Sequence, residues 1–242
     1  MAEWILVLAL GLAAGTVGGV IGFGTSIMLM PALVWAFGPR EAVPILAIAS
    51  IMANASRVWV WWRDIQWRYV AAYAVGGVPA AALGAHTLLV VPERAIAVFL
   101  GLLFLAMVPV RRWMLAQRWR LGTAQLMLAG AGVGYLTGVA ASTGPVNTPI
   151  FLMLGLVKGP FLGTEAMASL SVFASKAITF RSMDALPAAA LLKGLLIGVA
   201  ISWGSYLAKS IVQRVSASAF QRLIDPVMLV SGVVMLGLAW RA

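Results

Sequence analysis

The chain has 242 residues, of which 62% are hydrophobic and only 10% are charged, and its formal net charge is +10. A soluble domain does not need so much apolar surface, so this composition excludes a soluble protein and predicts an all-α polytopic membrane protein. The sequence has no cysteine and one histidine, which excludes disulfides and argues against a metal or a cofactor bound by those residues. Lys and Arg crowd the cytoplasmic loops of membrane proteins, so the positive charge favours a lipid bilayer over nucleic acid as partner.

Ten apolar runs follow one another, and each half of the chain has one long run, one short run and three long runs. In the first half they lie at 4–23, 25–37, 42–62, 68–89 and 93–111. In the second half they lie at 122–141, 145–157, 164–182, 187–208 and 217–240. About 20 apolar residues are enough to cross a bilayer of about 30 Å. We therefore expect a helical bundle in which each half has a short broken helix after its first span.

Landmarks of the first half recur in the second half at a nearly constant shift. The clearest set is shifted by 119 positions, Gly11, Gly15 and Gly19 against Gly130, Gly134 and Gly138. Glycines spaced by four residues share one helical face, so we expect them to let the two first helices pack closely against each other. If each half crosses the membrane an odd number of times, the copies have opposite orientations, as in many secondary transporters.

This duplication predicts three units, a first transmembrane repeat at 1–113, a basic linker at 114–121 and a second, inverted repeat at 122–242. The loops assigned to the linker's side of the membrane contain ten Lys and Arg residues, against four on the other side. Since positive residues are retained on the cytoplasmic side, the linker and the arginines around it are predicted to be cytoplasmic. These arginines are Arg111, Arg112, Arg118 and Arg120.

Both first spans end in a polar, glycine-rich break that cannot continue as a regular helix. The first break contains Gly22, Gly24, Thr25 and Ser26. The second contains Ser142, Thr143, Gly144, Asn147 and Thr148, interrupted by Pro145 and Pro149. Inside a membrane, backbone freed from a helix must find partners or line a wet cavity. Each break precedes a short helix whose first turn offers unpaired N–H groups and a positive dipole end, which predicts one midplane site for a small anion. The alternative is that both breaks are only helix caps and kinks.

Two cations fall inside predicted spans, Arg57 and Lys176. A cation inside a span costs several kcal/mol unless it is paired, hydrated or able to reach the interface. Arg57 is close enough to the end of its run to extend to the interface, whereas Lys176 is expected to line the permeation path and hold an anion. Asn54 precedes Arg57 by one turn, and Ser171 and Ser175 precede Lys176, so both runs carry a polar stripe that is typical of a lined pathway. If Arg57 does not extend to the interface, we expect it to bind the substrate together with Asn54, Ser171, Ser175 and Lys176.

All seven acidic residues fall near predicted helix ends, so none is expected to bind a cation or carry a proton within the membrane. Glu41 and Glu165 come at the beginning of their runs, where a carboxylate complements the helix dipole, and they are expected to act as helix caps. The sequence has neither an HExxH nor a GxSxG motif, and Ser175 next to Lys176 does not have the spacing of a Ser-Lys dyad. We therefore do not expect an enzyme.

The spacing Gly15-x3-Gly19-x2-Gly22-x-Gly24-x6-Pro31, its second copy ending at Pro149, and Gly84-Ala85 at the end of the fourth run resemble the TauE/SafE family. This family is also called the toluene sulfonate uptake permease family. The resemblance implies an integral protein of the bacterial cytoplasmic membrane that transports sulfite, thiosulfate, sulfoacetate or a related organic anion. A transporter for another small organic anion or a metal-related solute, and a membrane scaffold subunit, are the alternatives. The direction of transport, the coupling ion and the oligomeric state stay open.

Overall fold

The computed structural model of the protein describes residues 2–21, 25–117, 120–140, 143–212 and 217–241. These residues form nine α-helices and a short 3-10 turn (Trp62–Asp64), with no strand among them. The helices are α1 (Ala2–Ile21), α2 (Thr25–Val60), α3 (Trp67–Val90), α4 (Glu93–Ala116), α5 (Thr123–Val139), α6 (Gly144–Leu152), α7 (Lys158–Ser182), α8 (Ala188–Val212) and α9 (Ala217–Arg241). Helices α2, α3 and α4 and the Ala188–Tyr206 part of α8 are long and apolar enough to cross a membrane. The predicted all-α polytopic fold is confirmed.

The chain turns on a glycine at the end of each short helical segment. α2 bends at Gly38, where φ is +77°. Glycine adopts this left-handed conformation without a Cβ clash, and the following Pro39 has no N–H to donate to the helix. In the second half, Gly155 has φ +78° between α6 and α7. α2 therefore consists of a short and a long segment, which correspond in chain order to α6 and α7.

Close backbone approaches join the first helix of each half to a helix of the other half. α1 packs along α8, and α5 packs along α3. A methyl group added at Gly15 would collide with the backbone of Ile201 in α8, and one added at Gly134 would collide with the backbone of Gly77 in α3. The predicted close packing of these glycines is confirmed, but the predicted partner is wrong, because their contacts are with α8 and α3 rather than between α1 and α5. Gly19 lies outside the described side chains.

α2 and α7 lie in contact at the centre of the bundle, between two apolar clusters. The larger cluster joins α2 to α1, α4, α8 and α9, and Leu33 and Phe104 are among its buried members. The smaller cluster joins α7 to α3, α5 and α6 around Tyr73 and Phe151, whose rings lie 5.4 Å apart. The central position of α2 and α7 explains how polar groups on them escape contact with lipid.

Two helix boundaries differ from those predicted. α4 continues to Ala116, so Arg111 and Arg112 belong to this helix rather than to the central loop. Both bind Asp225 of α9, at 3.0 Å and 2.8 Å. α7 begins at Lys158 rather than near residue 164. Pro160 lies in its first turn, where a proline costs the helix no hydrogen bond. These shifts matter for function, since the earlier start of α7 moves its first acidic residue into the helix.

Candidate functional site

A polar cavity of about 60 Å³ lies between α2, α6 and α7 in the described part of the protein. A cavity needs about 10–15 Å³ on this measure to hold one water, so this one can hold several waters or a small oxyanion. Its wall is formed by Gly18, Thr25, Ser26, Ser50, Ala53, Asn54, Arg57, Tyr73, Thr137, Thr143, Gly144, Asn147, Glu165, Ser169, Val172, Phe173 and Ser205. Seven helices contribute to it, so the cavity exists only in the assembled bundle.

The two breaks meet in this wall. The predicted binding residues that line it are Thr25, Ser26, Asn54, Arg57, Thr143, Gly144 and Asn147. Those that the structure places elsewhere are Thr148, Ser171, Ser175 and Lys176, and Gly22, Gly24 and Ser142 lie outside the described residues. The described first turns of α2 and α6 thus reach one cavity with their side chains, as the pattern of breaks predicts.

Hydroxyl groups on the α2 side of the cavity bind to one another and to backbone. The Thr25 hydroxyl at the start of α2 donates to the carbonyl of Ala14 in α1, at 3.1 Å. The Ser26 and Ser50 hydroxyls lie 3.3 Å apart, and the amide nitrogen of Asn54 donates to the carbonyl of Ser50 at 2.8 Å. These bonds fix the first turn of α2 against its own longer segment, so the hydroxyls are held in place around the cavity.

The start of α6 offers fewer free backbone donors than predicted. Pro145 has no N–H, and the N–H groups of Val146 and Asn147 donate to the carbonyl of Thr143, at 3.0 Å and 2.9 Å. The Thr143 hydroxyl does not cap the helix and instead lies 2.5 Å from the hydroxyl of Thr137 in α5. α6 therefore contributes the positive end of its dipole and its side chains to the cavity.

An ion pair between α2 and α7 forms the charged part of the wall. Arg57 Nη1 donates to Glu165 Oε2 at 2.9 Å, and Arg57 Nη2 donates to the amide oxygen of Asn54. Glu165 Oε1 accepts from Asn147 Nδ2 at 2.9 Å and from the Ser169 hydroxyl at 2.7 Å. The side chains of Arg57 and Glu165 are 16% and 4% exposed. Donors from three helices thus hold one buried carboxylate beside the cavity.

This network corrects two expectations. Glu165 does not cap a helix, because α7 begins seven residues before it. Glu165 therefore lies about two turns along α7, and its side chain is buried. Arg57 does not extend to the interface, because its guanidinium is paired with that carboxylate. Sequence reasoning missed Glu165 and Ser169 as site residues. Their four-residue spacing on one helical face was the available signal, but it applies only once both residues are placed inside α7.

Lys176 is fully buried but lies outside the cavity wall. Its Nζ donates to the carbonyls of Thr137 and Ala140, at 2.6 Å and 2.5 Å. These carbonyls belong to the end of α5, where helical backbone acceptors lack partners. Lys176 therefore holds the end of α5 directly before the second break. Ser171 and Ser175 also donate to backbone carbonyls, those of Ala168 and Val78.

The charge and donors in the cavity wall suit a small oxyanion. Arg57 provides a guanidinium, whose planar set of N–H groups matches the oxygens of such a ligand. The described residues contain no cluster of His, Asp or Glu that could hold a metal ion. Glu165 is the single acid among the described lining residues, and it already neutralises Arg57.

Comparison with known proteins agrees with this geometry. Residues 7–235, nearly the whole chain, match the family model described as Sulfite exporter TauE/SafE. This match confirms the resemblance predicted from the glycine and proline spacing. Comparison with curated proteins gives no match, and neither does comparison with solved structures.

Proposed function

Because the chain belongs to the sulfite exporter TauE/SafE family, we propose that it is a secondary transporter that moves sulfite or another small sulfur oxyanion across the bacterial cytoplasmic membrane. Family membership and the long apolar helices make it an integral membrane transporter. The observation that carries the choice of an anion is Arg57, which faces a buried polar cavity where two helix starts meet. Burying an ion pair costs desolvation that its attraction often does not repay, so its position in the wall of a cavity favours a role in binding.

The donors around the cavity support binding of an oxyanion. The guanidinium of Arg57 provides charge, the Asn147 amide and the hydroxyls of Ser26 and Thr143 provide neutral hydrogen-bonding groups, and the starts of α2 and α6 provide positive dipole ends. Each neutral donor now binds another protein group, so a ligand would exchange existing hydrogen bonds for new ones. Such exchange suits a transporter, which must release its substrate as readily as it binds it.

The packing of the helices supports an inverted repeat and alternating access. α1 packs on α8 as α5 packs on α3, and α2 packs on α8 as α7 packs on α3. If each helix is replaced by its counterpart in the other half, one contact of each pair becomes the other. This is expected for repeats related by a pseudo-two-fold axis. The cavity lies between α2 of the first half and α7 of the second half. Rocking of one half against the other would open the cavity to each side of the membrane in turn.

Binding can be tested with purified protein in detergent by thermal-shift measurements against sulfite, thiosulfate, sulfate, sulfoacetate, taurine, acetate and chloride. We expect a sulfur oxyanion to raise the melting temperature, because a ligand at about 100 times its Kd stabilises by about 2.7 kcal/mol. Arg57→Gln should abolish the shift. Arg40→Gln is a matched control, since Arg40 is an exposed arginine with a 4.0 Å ion pair to Glu93, and it should retain the shift.

Transport by proteoliposomes loaded with radiolabelled sulfite then tests the activity itself. The wild type and Arg40→Gln should exchange or release the label, whereas Arg57→Gln should not. No shift and no transport with any anion of the panel would refute the proposed function and favour a scaffold. A shift with acetate but with none of the sulfur compounds would retain anion transport and refute the sulfur substrate.

A further inference from the structure

The ion pair in the cavity wall leaves an incoming anion without a free positive charge. Arg57 and Glu165 are joined at 2.9 Å and together carry no net charge. An anion that approaches Arg57 also approaches the Glu165 carboxylate, and two negative charges in a poorly hydrated cavity repel strongly. The pair therefore favours the anion-free state. Glu165 must lose its negative charge before Arg57 can bind an anion.

A second observation concerns the amide of Asn147. Its nitrogen donates to Glu165 Oε1 at 2.9 Å and lies 3.2 Å from the Ser169 hydroxyl. Its oxygen Oδ1 is buried and has no hydrogen-bond partner among the residues that the structure describes. An ionised carboxylate accepts hydrogen bonds and donates none, so it forces the amide to present its nitrogen to Glu165 and to leave the oxygen unpaired. The unpaired oxygen is thus a consequence of the charge on Glu165.

Resting on the proposed function, we propose that Glu165 is the proton-binding group that couples the transporter to protons, with one proton bound for each anion. A proton from water adds to a carboxylate oxygen of Glu165 and converts the carboxylate to a carboxylic acid. The ion pair with Arg57 loses its attraction, and the guanidinium becomes available to the anion. One O–H bond of a hydronium ion breaks as the O–H bond of the acid forms, which leaves a water molecule, so the step needs no further reactant.

Protonation also changes which end of Asn147 faces the acid. A carboxylic acid donates one hydrogen bond, and this bond can satisfy Oδ1 once the amide rotates by half a turn. The rotated amide then directs its two N–H donors away from Glu165. The same proton therefore frees one charged donor and reorients one neutral donor, and both changes favour an anion.

The other ionisable groups near Glu165 do not provide an alternative proton site of this kind. From α3, Tyr73 lines the same cavity with a neutral phenol. Asp64, in the turn before α3, lies against Gly159 at the start of α7, more than one turn from Glu165. Lys176, about three turns along α7, binds the end of α5. The lining residues from α1, α5, α6 and α8 are not ionisable.

Calorimetry can measure the coupled proton directly. Thiosulfate is the probe, because its own charge stays constant between about pH 5.5 and pH 8, so a proton taken up on binding goes to the protein. Titrations of the wild type in buffers with different heats of ionisation give the number of protons taken up for each thiosulfate bound. We expect the uptake to approach one proton for each thiosulfate bound, and the affinity to fall by up to about tenfold for each unit of rising pH.

The decisive variant is Glu165→Gln, which mimics the protonated acid and can still accept a bond from Arg57. It should bind thiosulfate without proton uptake, and its affinity should not change with pH. Glu41→Gln is the matched control, because Glu41 is also paired with a basic residue, Lys193, but lies outside the cavity wall. It should behave as the wild type does.

The outcomes separate this inference from the function on which it rests. Binding of thiosulfate by the wild type without proton uptake would overturn the role of Glu165 and leave anion transport intact. This measurement uses only the wild-type protein, so it does not depend on the folding of a variant. Proton uptake retained in Glu165→Gln would also overturn it. Failure of the wild type to bind thiosulfate and every other anion of the panel would refute the proposed function itself.

Discussion

Removing Arg57 tests how the cavity wall is held together. In Arg57→Met the Glu165 carboxylate, whose side chain is 4% exposed, loses its charged partner and keeps only Asn147 and Ser169 as donors. Removing one partner of a buried ion pair typically destabilises by about 3–5 kcal/mol. The Asn54 oxygen also loses its donor, which adds about 1 kcal/mol. We therefore expect Arg57→Met to lose about 4–6 kcal/mol of stability.

The double variant Arg57→Met with Glu165→Gln separates the charge from the packing. Most of the loss comes from the uncompensated charge, so neutralising Glu165 should recover at least half of it. Stability is measured as the free energy of unfolding in mixed micelles of SDS and a mild detergent, without substrate. Arg112→Met is the matched control, because Arg112 is 67% exposed and its partner Asp225 keeps Arg111. The control should change stability by less than about 1 kcal/mol.

Two results would refute this reasoning. The first is an Arg57→Met protein whose free energy of unfolding lies within about 1 kcal/mol of the wild type, since the pair would then be too hydrated to matter. The second is a double variant no more stable than the single one, because the loss would then come from the packing of the arginine stem rather than from the carboxylate left behind.

Three further substitutions test the packing of the helices next to the cavity. Gly134→Ala should destabilise by about 1–3 kcal/mol, because the methyl group collides with the backbone of Gly77. Gly132→Ala, on the same helix with open space at its Cβ position, should stabilise by up to about 1 kcal/mol in the same unfolding assay, and equal effects at both sites would contradict the close approach. Lys176→Met leaves two buried carbonyls at the end of α5 unpaired, at about 1–3 kcal/mol each, and should lower the melting temperature clearly. Thiosulfate affinity, however, should stay within about tenfold (about 1.4 kcal/mol), and a much larger loss of affinity would put Lys176 back into the binding site.

Much of the candidate site was predictable because its signals are local. The polar breaks at Thr25 and Thr143 were recognisable, since a glycine- or proline-rich stretch in an apolar chain must be buried around a cavity or around other protein. Arg57 was recognisable because a cation inside a span requires a partner or a function. These signals do not identify the residue that pairs with Arg57. The predicted run 164–182 places Glu165 at a helix end, because Gly159-Pro160 before it is typical of a break between helices. A proline in the first turn does not end a helix. α7 therefore begins six residues earlier than predicted, and Glu165 lies inside this helix rather than at its end.

Length and apolar runs determined by themselves that this chain is a polytopic helical membrane protein, since these properties follow from bilayer thickness and local backbone sterics. The glycine and proline spacing only resembles the TauE/SafE family, and the match of residues 7–235 to the family model shows the membership. Only the tertiary structure decided which helices the glycine faces contact and which charges meet. A glycine face can pack against any helix backbone that comes close enough. Packing throughout the bundle therefore decides that α1 contacts α8 and that α5 contacts α3. Arg57 meets Glu165, 108 residues along the chain, whereas Lys176 donates to backbone carbonyls of α5, because ion pairs across helices depend on rotation about each helix axis. That rotation is set by packing on every side, and no short stretch of sequence encodes it.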